Sequence, residues 1–185
     1  MRAIMIFQNI KIDINFNKIL NADYTQHYGS CISYQKREQE DIHESLGKGF
    51  PASYHEDNTR IQQLWFDDGE VDYFDLGEQL GMEVVTVSSI LQPPGNVITL
   101  HRDTFFQIKK KYPDRANEKM VRANIYLEDW QVGHLLQYKD VNGEWQTNTH
   151  WKQGEGFLWD SDILHLGANV GMKDKYTLQV SGYLR

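Results

Sequence analysis

The chain has 185 residues, of which 40% are hydrophobic and 24% charged, a balance typical of ordinary globular proteins that excludes fibrous and disordered classes. Its formal net charge of −7 argues against attraction to nucleic-acid phosphates over the whole surface. No run of about 18 apolar residues predicts a membrane span, and Cys31, the single cysteine, allows no internal disulfide. We therefore expect one folded cytoplasmic domain over residues 1–185, with no nucleic-acid or membrane partner.

Residues 1–81 are predicted to form a supporting region of short strands and helices. Alternating apolar residues predict strands over 2–7 and 10–16, and the second of these has clear period two. The mixed-charge run 35–46, with a glycine directly after it, is typical of an exposed helix. Residues 50–68 mix turn formers with aromatics and are predicted to be loop.

The second part of the chain is predicted to be strand after strand, directly after a helix over 71–81 that Gly81 ends. Eight segments are rich in β-branched residues or are bounded by turn signals such as Asn142-Gly143. They cover residues 83–91, 96–101, 121–127, 134–138, 144–148, 156–160, 163–166 and 175–184. This pattern predicts a mainly β fold, a double-stranded β-helix (jelly roll, cupin-like) over 82–185 with flanking N-terminal helices.

A histidine and a carboxylate stand at the end of the second of these strands. His101 and Asp103 are two positions apart, so both side chains are expected to leave the same face of the strand. With a distant histidine they make the 2-His-1-carboxylate set of non-haem Fe(II) sites. His165 supplies that imidazole, and Lys175 follows it by ten positions. The joint spacing carries the hypothesis, because a His-x-Asp pair alone is common in unrelated proteins.

With these residues the chain resembles the Fe(II)/2-oxoglutarate-dependent oxygenase superfamily, over roughly residues 82 to 185. The resemblance implies that Fe(II) is bound by a catalytic set of three residues, which are His101, Asp103 and His165. It also implies that a basic residue on the last strand, here Lys175, binds the distal carboxylate of 2-oxoglutarate. The activity it implies is hydroxylation of an unactivated C–H bond with O2, with succinate and CO2 as co-products.

The arrangement around a second basic residue resembles that of one branch of this superfamily. Arg122 shares a predicted strand face with Asn124 and Tyr126, and this looks like the aspartyl/asparaginyl hydroxylase and proline 3-hydroxylase branch. There an arginine after the His-x-Asp element also contacts the cosubstrate, so the resemblance implies cosubstrate contacts for all three residues. Lys175 stands where that branch usually has arginine, which leaves open whether Lys175 or Arg122 binds the distal carboxylate.

Aromatic side chains recur around these residues, namely Phe105, Phe106, Trp130, Trp145, Trp151 and Trp159. At such positions most aromatic residues pack in the core or at its rim, and we expect the same here. The segment between residues 104 and 119 is placed to cover the mouth of the predicted site.

Two function classes fit these observations. The first is a 2-oxoglutarate-dependent dioxygenase acting on an amino-acid-like small molecule or on a protein side chain. The alternative is a non-oxygenase cupin that binds a metal or a small ligand, since it would have the same strands and could use the same three ligands. Lys175 and Arg122 on inward faces favour an anionic cosubstrate and therefore the dioxygenase. The sequence leaves the substrate and the oligomeric state open.

Overall fold

The computed structural model describes residues 6–26, 28–30, 42 and 51–185. The helix predicted over 35–46 lies outside the described residues except for Ile42, which is helical and buried. The helices whose bounds are described are α1 (Phe16–Leu20), α2 (Tyr73–Leu80) and α3 (Phe106–Lys111). The strands in the described residues are β1 (Phe7–Lys11), β2 (Tyr28–Ser30), β3 (Arg60–Phe66), β4 (Met82–Gln92), β5 (Asn96–His101), β6 (Met120–Tyr126), β7 (His134–Lys139), β8 (Trp145–Asn148), β9 (Glu155–Trp159), β10 (His165–Asn169) and β11 (Lys175–Leu184).

These strands form two antiparallel sheets. The larger has the order β1-β9-β6-β11-β4-β3-β2 and the smaller has the order β5-β10-β7-β8. The eight strands from β4 to β11 are thus shared equally between the two sheets, in the winding of a double-stranded β-helix, which confirms the predicted fold class. The helix predicted before them is confirmed as α2, and Gly81 follows it with a φ of 65°. Within the described residues, no helix has the length and apolar character needed to cross a bilayer.

Side chains alternate between two environments along the paired strands β6 and β11. One face packs in the main hydrophobic core, together with Leu76 and Leu80 of α2, through Val121, Ala123, Ile125, Leu178 and Val180. The opposite face of β6 carries Arg122, Asn124 and Tyr126, so the prediction that these three residues share a face is confirmed. On the same side of the sheet, β11 presents Lys175 and Ser181 toward the space between the sheets. Apolar burial on one face therefore fixes which polar residues line the barrel.

The prediction of a strand over 10–16 is wrong beyond its first two residues. Strand β1 ends at Lys11, and α1 begins at Phe16. The Asn15 side chain accepts a hydrogen bond of 3.3 Å from the backbone N–H of Lys18 and so caps the first turn of α1. A local capping interaction here overrides the alternation of apolar residues.

The prediction of loop over 50–68 is also wrong in part, because β3 occupies Arg60–Phe66 and pairs with β4. Leu64 and Phe66 pack in the main core, whereas Ile61 packs with isoleucines on the other face of the sheet. Since both faces of β3 bury apolar side chains, its sequence shows no simple period of two.

Gly182 marks a place where two strands approach too closely for a side chain. The register of β11 against β4 shifts between Ser181 and Gly182, and an ideal Cβ on Gly182 would lie 1.8 Å from the carbonyl oxygen of Glu83. We expect Gly182→Ala to lower the free energy of unfolding by about 3 kcal/mol, because the backbone cannot yield as a side chain can. For a chain of this size, that corresponds to a fall in Tm of about 6–12 °C in a thermal melt.

The matched control is Gly69→Ala, whose Cβ would meet only a side-chain oxygen of the exposed Asp67, at 3.3 Å, and no backbone atom. It is expected to change stability by less than about 0.5 kcal/mol. Equal Tm values for the two variants would contradict the close approach of β11 and β4.

Candidate metal centre

Three potential metal ligands meet at one end of the barrel. His101 is the last residue of β5, His165 is the first residue of β10, and the two are paired across these strands. Asp103 lies two residues beyond the end of β5, so the expectation that it stands on that strand is wrong, although its side chain does converge with that of His101 as expected. Its carboxylate reaches the histidines from the connection to α3 instead. One possible ligand atom from each of the three side chains lies within 4.8 Å of the others.

Both imidazoles are held in the orientation that a metal ligand needs. The Nδ1 atom of His101 lies 2.8 Å from the carbonyl oxygen of Thr99, and that of His165 lies 3.1 Å from the carbonyl oxygen of Ile163. Because a carbonyl only accepts hydrogen bonds, Nδ1 carries the proton in each ring and Nε2 keeps a free lone pair. Burial lowers the pKa of His101 to about 3 and also lowers that of His165. Both rings are therefore neutral near pH 7, as metal binding requires.

The Asp103 carboxylate is ionised and held at both of its oxygens. It is 3% exposed, its Oδ1 is paired with the Arg122 guanidinium, and its Oδ2 accepts a hydrogen bond of 2.8 Å from Trp159 Nε1. Burial alone would raise the pKa of Asp103. The attraction of the Arg122 guanidinium is the largest opposing effect, the hydrogen bond from Trp159 adds to it, and the pKa falls to about 2. The same carboxylate oxygen lies 3.9 Å from Nε2 of His165.

This donor set fits a divalent transition metal. Two neutral imidazole nitrogens and one carboxylate oxygen form the facial set that binds non-haem Fe(II) and leaves coordination positions open. Ligand atoms of one such ion lie about 2 Å from it and therefore within about 4 Å of one another, so the separation between His165 and Asp103 needs little adjustment.

Lys175 brings an ammonium group into the barrel. It is 5% exposed, and its Nζ donates a hydrogen bond of 2.6 Å to the carbonyl oxygen of Leu135. Among the described residues no carboxylate forms an ion pair with it, and burial lowers its pKa to about 7. A buried ammonium without an anionic partner is costly. The site therefore presents a cation that lacks its counter-ion.

A glycine leaves space between Lys175 and the three ligands. An ideal Cβ on Gly167 would lie 3.5 Å from Lys175 Nζ. Gly167 and His165 are alternate residues of β10 and so share a face, with their Cα atoms about 6.6 Å apart. The Lys175 ammonium thus lies beside the face of β10 that carries His165, and residue 167 places no side chain between them.

The other residues predicted to bind the cosubstrate differ in their surroundings. Arg122 pairs with Asp103 and donates through Nε to Ser181 Oγ at 2.9 Å. Asn124 is 7% exposed; its oxygen accepts a hydrogen bond from Gln179, and its buried Nδ2 has no hydrogen-bond partner within residues 6–26, 28–30, 42 and 51–185. Tyr126 stacks on Trp151 with ring centroids 3.8 Å apart, and its hydroxyl accepts a hydrogen bond from Asn148. Arg122 therefore contacts a candidate metal ligand, and Asn124 has a side-chain N–H donor that no described residue accepts.

Sequence reasoning missed the roles of two residues. Trp159 was expected only to pack, yet it contacts two of the three candidate ligands, Asp103 and His165. Ser181 could have been found from period two along β11, since it shares a face with Lys175. Trp159 could not, because nothing local in the sequence shows which strand lies beside which.

Neither the known family models nor the curated proteins contain a match to the chain. Solved structures do match it. A Pseudomonas putida prolyl-4-hydroxylase is 18% identical, with 97% of this chain and 92% of that one covered and a TM-score of 0.52. The non-heme α-ketoglutarate-dependent epimerase SnoN from nogalamycin biosynthesis is 9% identical, with 96% and 76% covered and a TM-score of 0.54. At these identities the likeness shows a shared fold.

Proposed function

We propose that this protein is an Fe(II)- and 2-oxoglutarate-dependent dioxygenase that hydroxylates an unactivated C–H bond. The observation that carries the proposal is Lys175, a buried ammonium with no anionic partner in the described part of the chain, in the same barrel as the His101, Asp103 and His165 cluster. A cupin that binds only a metal would account for the cluster equally well. It would have no use for the unpaired cation, whereas a dicarboxylate cosubstrate supplies the missing counter-ion.

In this proposal each polar residue of the barrel has a separate task. The free Nε2 atoms of the two histidines and one Asp103 oxygen would hold Fe(II). Lys175 would bind the distal carboxylate of 2-oxoglutarate, and the unpaired Nδ2 of Asn124 would donate to the cosubstrate. When bound, iron and 2-oxoglutarate supply O2 activation, with succinate and CO2 as co-products. The chain itself would bind and orient the iron and the cosubstrate and would exclude water. It has no acid or base step to perform.

Direct contacts of Arg122 and Tyr126 with the cosubstrate have less support. The Arg122 guanidinium is already paired with Asp103, so we propose that it neutralises and orients that ligand and leaves the distal carboxylate to Lys175. The Tyr126 hydroxyl already accepts a hydrogen bond from Asn148. Its O–H can still donate, so a cosubstrate contact by Tyr126 remains a prediction and would be made through that donor.

The proposal is tested by adding Fe(II) and then 2-oxoglutarate to the metal-free protein without oxygen. We expect a visible charge-transfer band that needs both additions, and succinate formation once O2 is admitted. Binding of Fe(II) with neither signal would favour the non-oxygenase cupin. The active protein would then be screened against free amino acids and peptides, including prolyl peptides, because we propose an amino-acid-like molecule or a protein side chain as substrate.

The affinity for 2-oxoglutarate is expected to fall as the pH rises from 7 to 9. Burial lowers the pKa of Lys175 to about 7 in the free protein, and a bound carboxylate would raise it again. Binding in this range therefore takes up a proton, and affinity falls by up to about tenfold per pH unit. Titration calorimetry of the Mn(II)-loaded protein in buffers of different ionisation enthalpy measures both the affinity and the proton uptake.

Lys175→Arg is the matched control, because a guanidinium stays protonated throughout this range. Its affinity should not vary between pH 7 and 9. A parent affinity that is flat over the same range, with no buffer-dependent heat, would speak against Lys175 as the anchor.

A further inference from the structure

We infer that Trp159 is a positioning residue of the metal centre, whose indole N–H orients the Asp103 carboxylate and whose ring holds the His165 imidazole. The inference rests on the metal site of the proposed function and does not depend on the cosubstrate or on the reaction. Sequence position alone would class this residue as core packing.

Trp159 touches two of the three candidate ligands at once. It is 0% exposed, its Nε1 lies 2.8 Å from Asp103 Oδ2, and its ring centroid lies 4.6 Å from that of His165. Through this hydrogen bond the N–H, which is the only polar group of the indole, donates to a candidate metal ligand. Since the ring also lies against His165, a rotation of the indole would disturb both ligands together.

Asp103 needs such support more than the histidines do. The two imidazoles belong to paired strands and are fixed through Nδ1 by backbone carbonyls. Asp103 lies past the end of β5, and the last torsion of an aspartate side chain has no sharp staggered minimum. Donors at both oxygens fix the plane of the carboxylate, and these donors are Arg122 at Oδ1 and Trp159 at Oδ2.

Both donors come from one cross-strand pair. Arg122 of β6 lies directly opposite Trp159 of β9. Two residues of the larger sheet, Arg122 and Trp159, thus clamp Asp103, which lies in the loop after β5 of the smaller sheet. Arg122 contributes a positive charge to the clamp, whereas the neutral indole of Trp159 contributes a directional hydrogen bond. Partners of this kind typically change metal affinity by about 10–100-fold when they are removed.

The indole is itself held in place by neighbouring aromatic rings. The centroid of Phe7 lies 6.2 Å from that of Trp159 and the centroid of Phe157 lies 6.0 Å from it, both nearly parallel to the indole. A phenyl ring at residue 159 would keep most of these contacts and lose the N–H. The substitution therefore separates the hydrogen bond from the packing.

Trp159→Phe is expected to bind Fe(II) about 10–100-fold more weakly than the parent in an anaerobic titration of the metal-free protein. The d–d absorption bands of a Co(II)-loaded sample should also shift, since the carboxylate is reoriented, which loss of packing elsewhere would not cause. Trp130→Phe is the matched control, because it too removes an indole hydrogen bond, here to the carbonyl oxygen of His134. Its Fe(II) affinity should stay within about twofold of the parent, below the range expected for a ligand's partner.

If Trp159→Phe does not fold, β-(3-benzothienyl)alanine introduced at residue 159 keeps the bicyclic ring and lacks only the donor. The same loss of affinity is expected for it. Parental Fe(II) affinity and an unchanged Co(II) spectrum in either folded variant would overturn the role of Trp159 while leaving the proposed function intact. A parent protein that binds no Fe(II) would overturn both.

Discussion

Replacing His165 with alanine is expected to weaken Fe(II) binding by about a hundredfold or more. His165 is one of only three candidate ligands that the described residues bring together, so its loss removes a metal–nitrogen bond. The effect should therefore exceed that of losing a residue that merely supports a ligand. Anaerobic titration of the metal-free variant with Fe(II) measures the affinity, and circular dichroism shows whether the variant is folded.

His134→Gln provides the control for this experiment. His134 is also buried, at 3% exposure, but its Nε2 is 3.0 Å from the carbonyl oxygen of Lys173 and it does not belong to the cluster. Its substitution should leave Fe(II) affinity near that of the parent. A folded His165→Ala variant with undiminished affinity would remove His165 from the metal site.

Lys175→Met should have opposite effects on cosubstrate binding and on stability. Loss of the ammonium is expected to weaken 2-oxoglutarate binding to the metal-loaded protein by about a hundredfold, since one partner of a buried charge pair disappears. The ligand-free protein should become more stable, because methionine fills the space without leaving a buried charge unpaired. Calorimetric titration and thermal melts measure the two effects.

Arg122→Met distinguishes the two basic residues of the barrel. Because Arg122 is the ion-pair partner of the buried Asp103, its loss should lower the stability of the metal-free protein. At saturating metal it should reduce 2-oxoglutarate affinity less than Lys175→Met does. The reverse order of affinities would assign the distal carboxylate to Arg122 and would show that our assignment to Lys175 is wrong.

The predictions for Arg122→Met and Lys175→Met differ because Asp103 and Lys175 have different electrostatic surroundings in the metal-free protein. Asp103 already has a positive partner, Arg122, in the metal-free protein, so its carboxylate is ionised and paired before a metal ion arrives. Lys175 has no such partner among the residues that the structure describes, and in our proposal a bound anion supplies one. The metal cluster by itself fits two function classes, whereas the unpaired lysine favours one of them.

The sequence alone determined most of the barrel. Strand β4 was predictable because it is rich in β-branched residues, whereas β6 and β11 each have one apolar and one more polar face, which is a local pattern of period two. Gly81 and the Asn-Gly turn before β8 were readable for the same reason, since a turn depends on its own few residues. The residue types and spacing of His101, His165 and Lys175 also indicated the class of site.

Local pattern was not sufficient where two influences competed. Strand β3 buries apolar residues on both of its faces and so looked like loop, and the alternation after Lys11 was overridden by the Asn15 cap of α1. Asp103 lies beyond its strand, which two-residue spacing cannot reveal. In each case the deciding contact came from another element or from a side-chain hydrogen bond.

The surroundings of the ligands were decided only by the tertiary structure. The bond from Trp159 to Asp103 joins residues 56 positions apart, and the Arg122 pair with the same carboxylate joins residues 19 positions apart. Both depend on β6 lying beside β9 in one register, and strand pairing is a non-local choice that periodicity does not encode. The sequence therefore determined which groups could bind a metal, and the pairing of the strands decided which groups hold them in position.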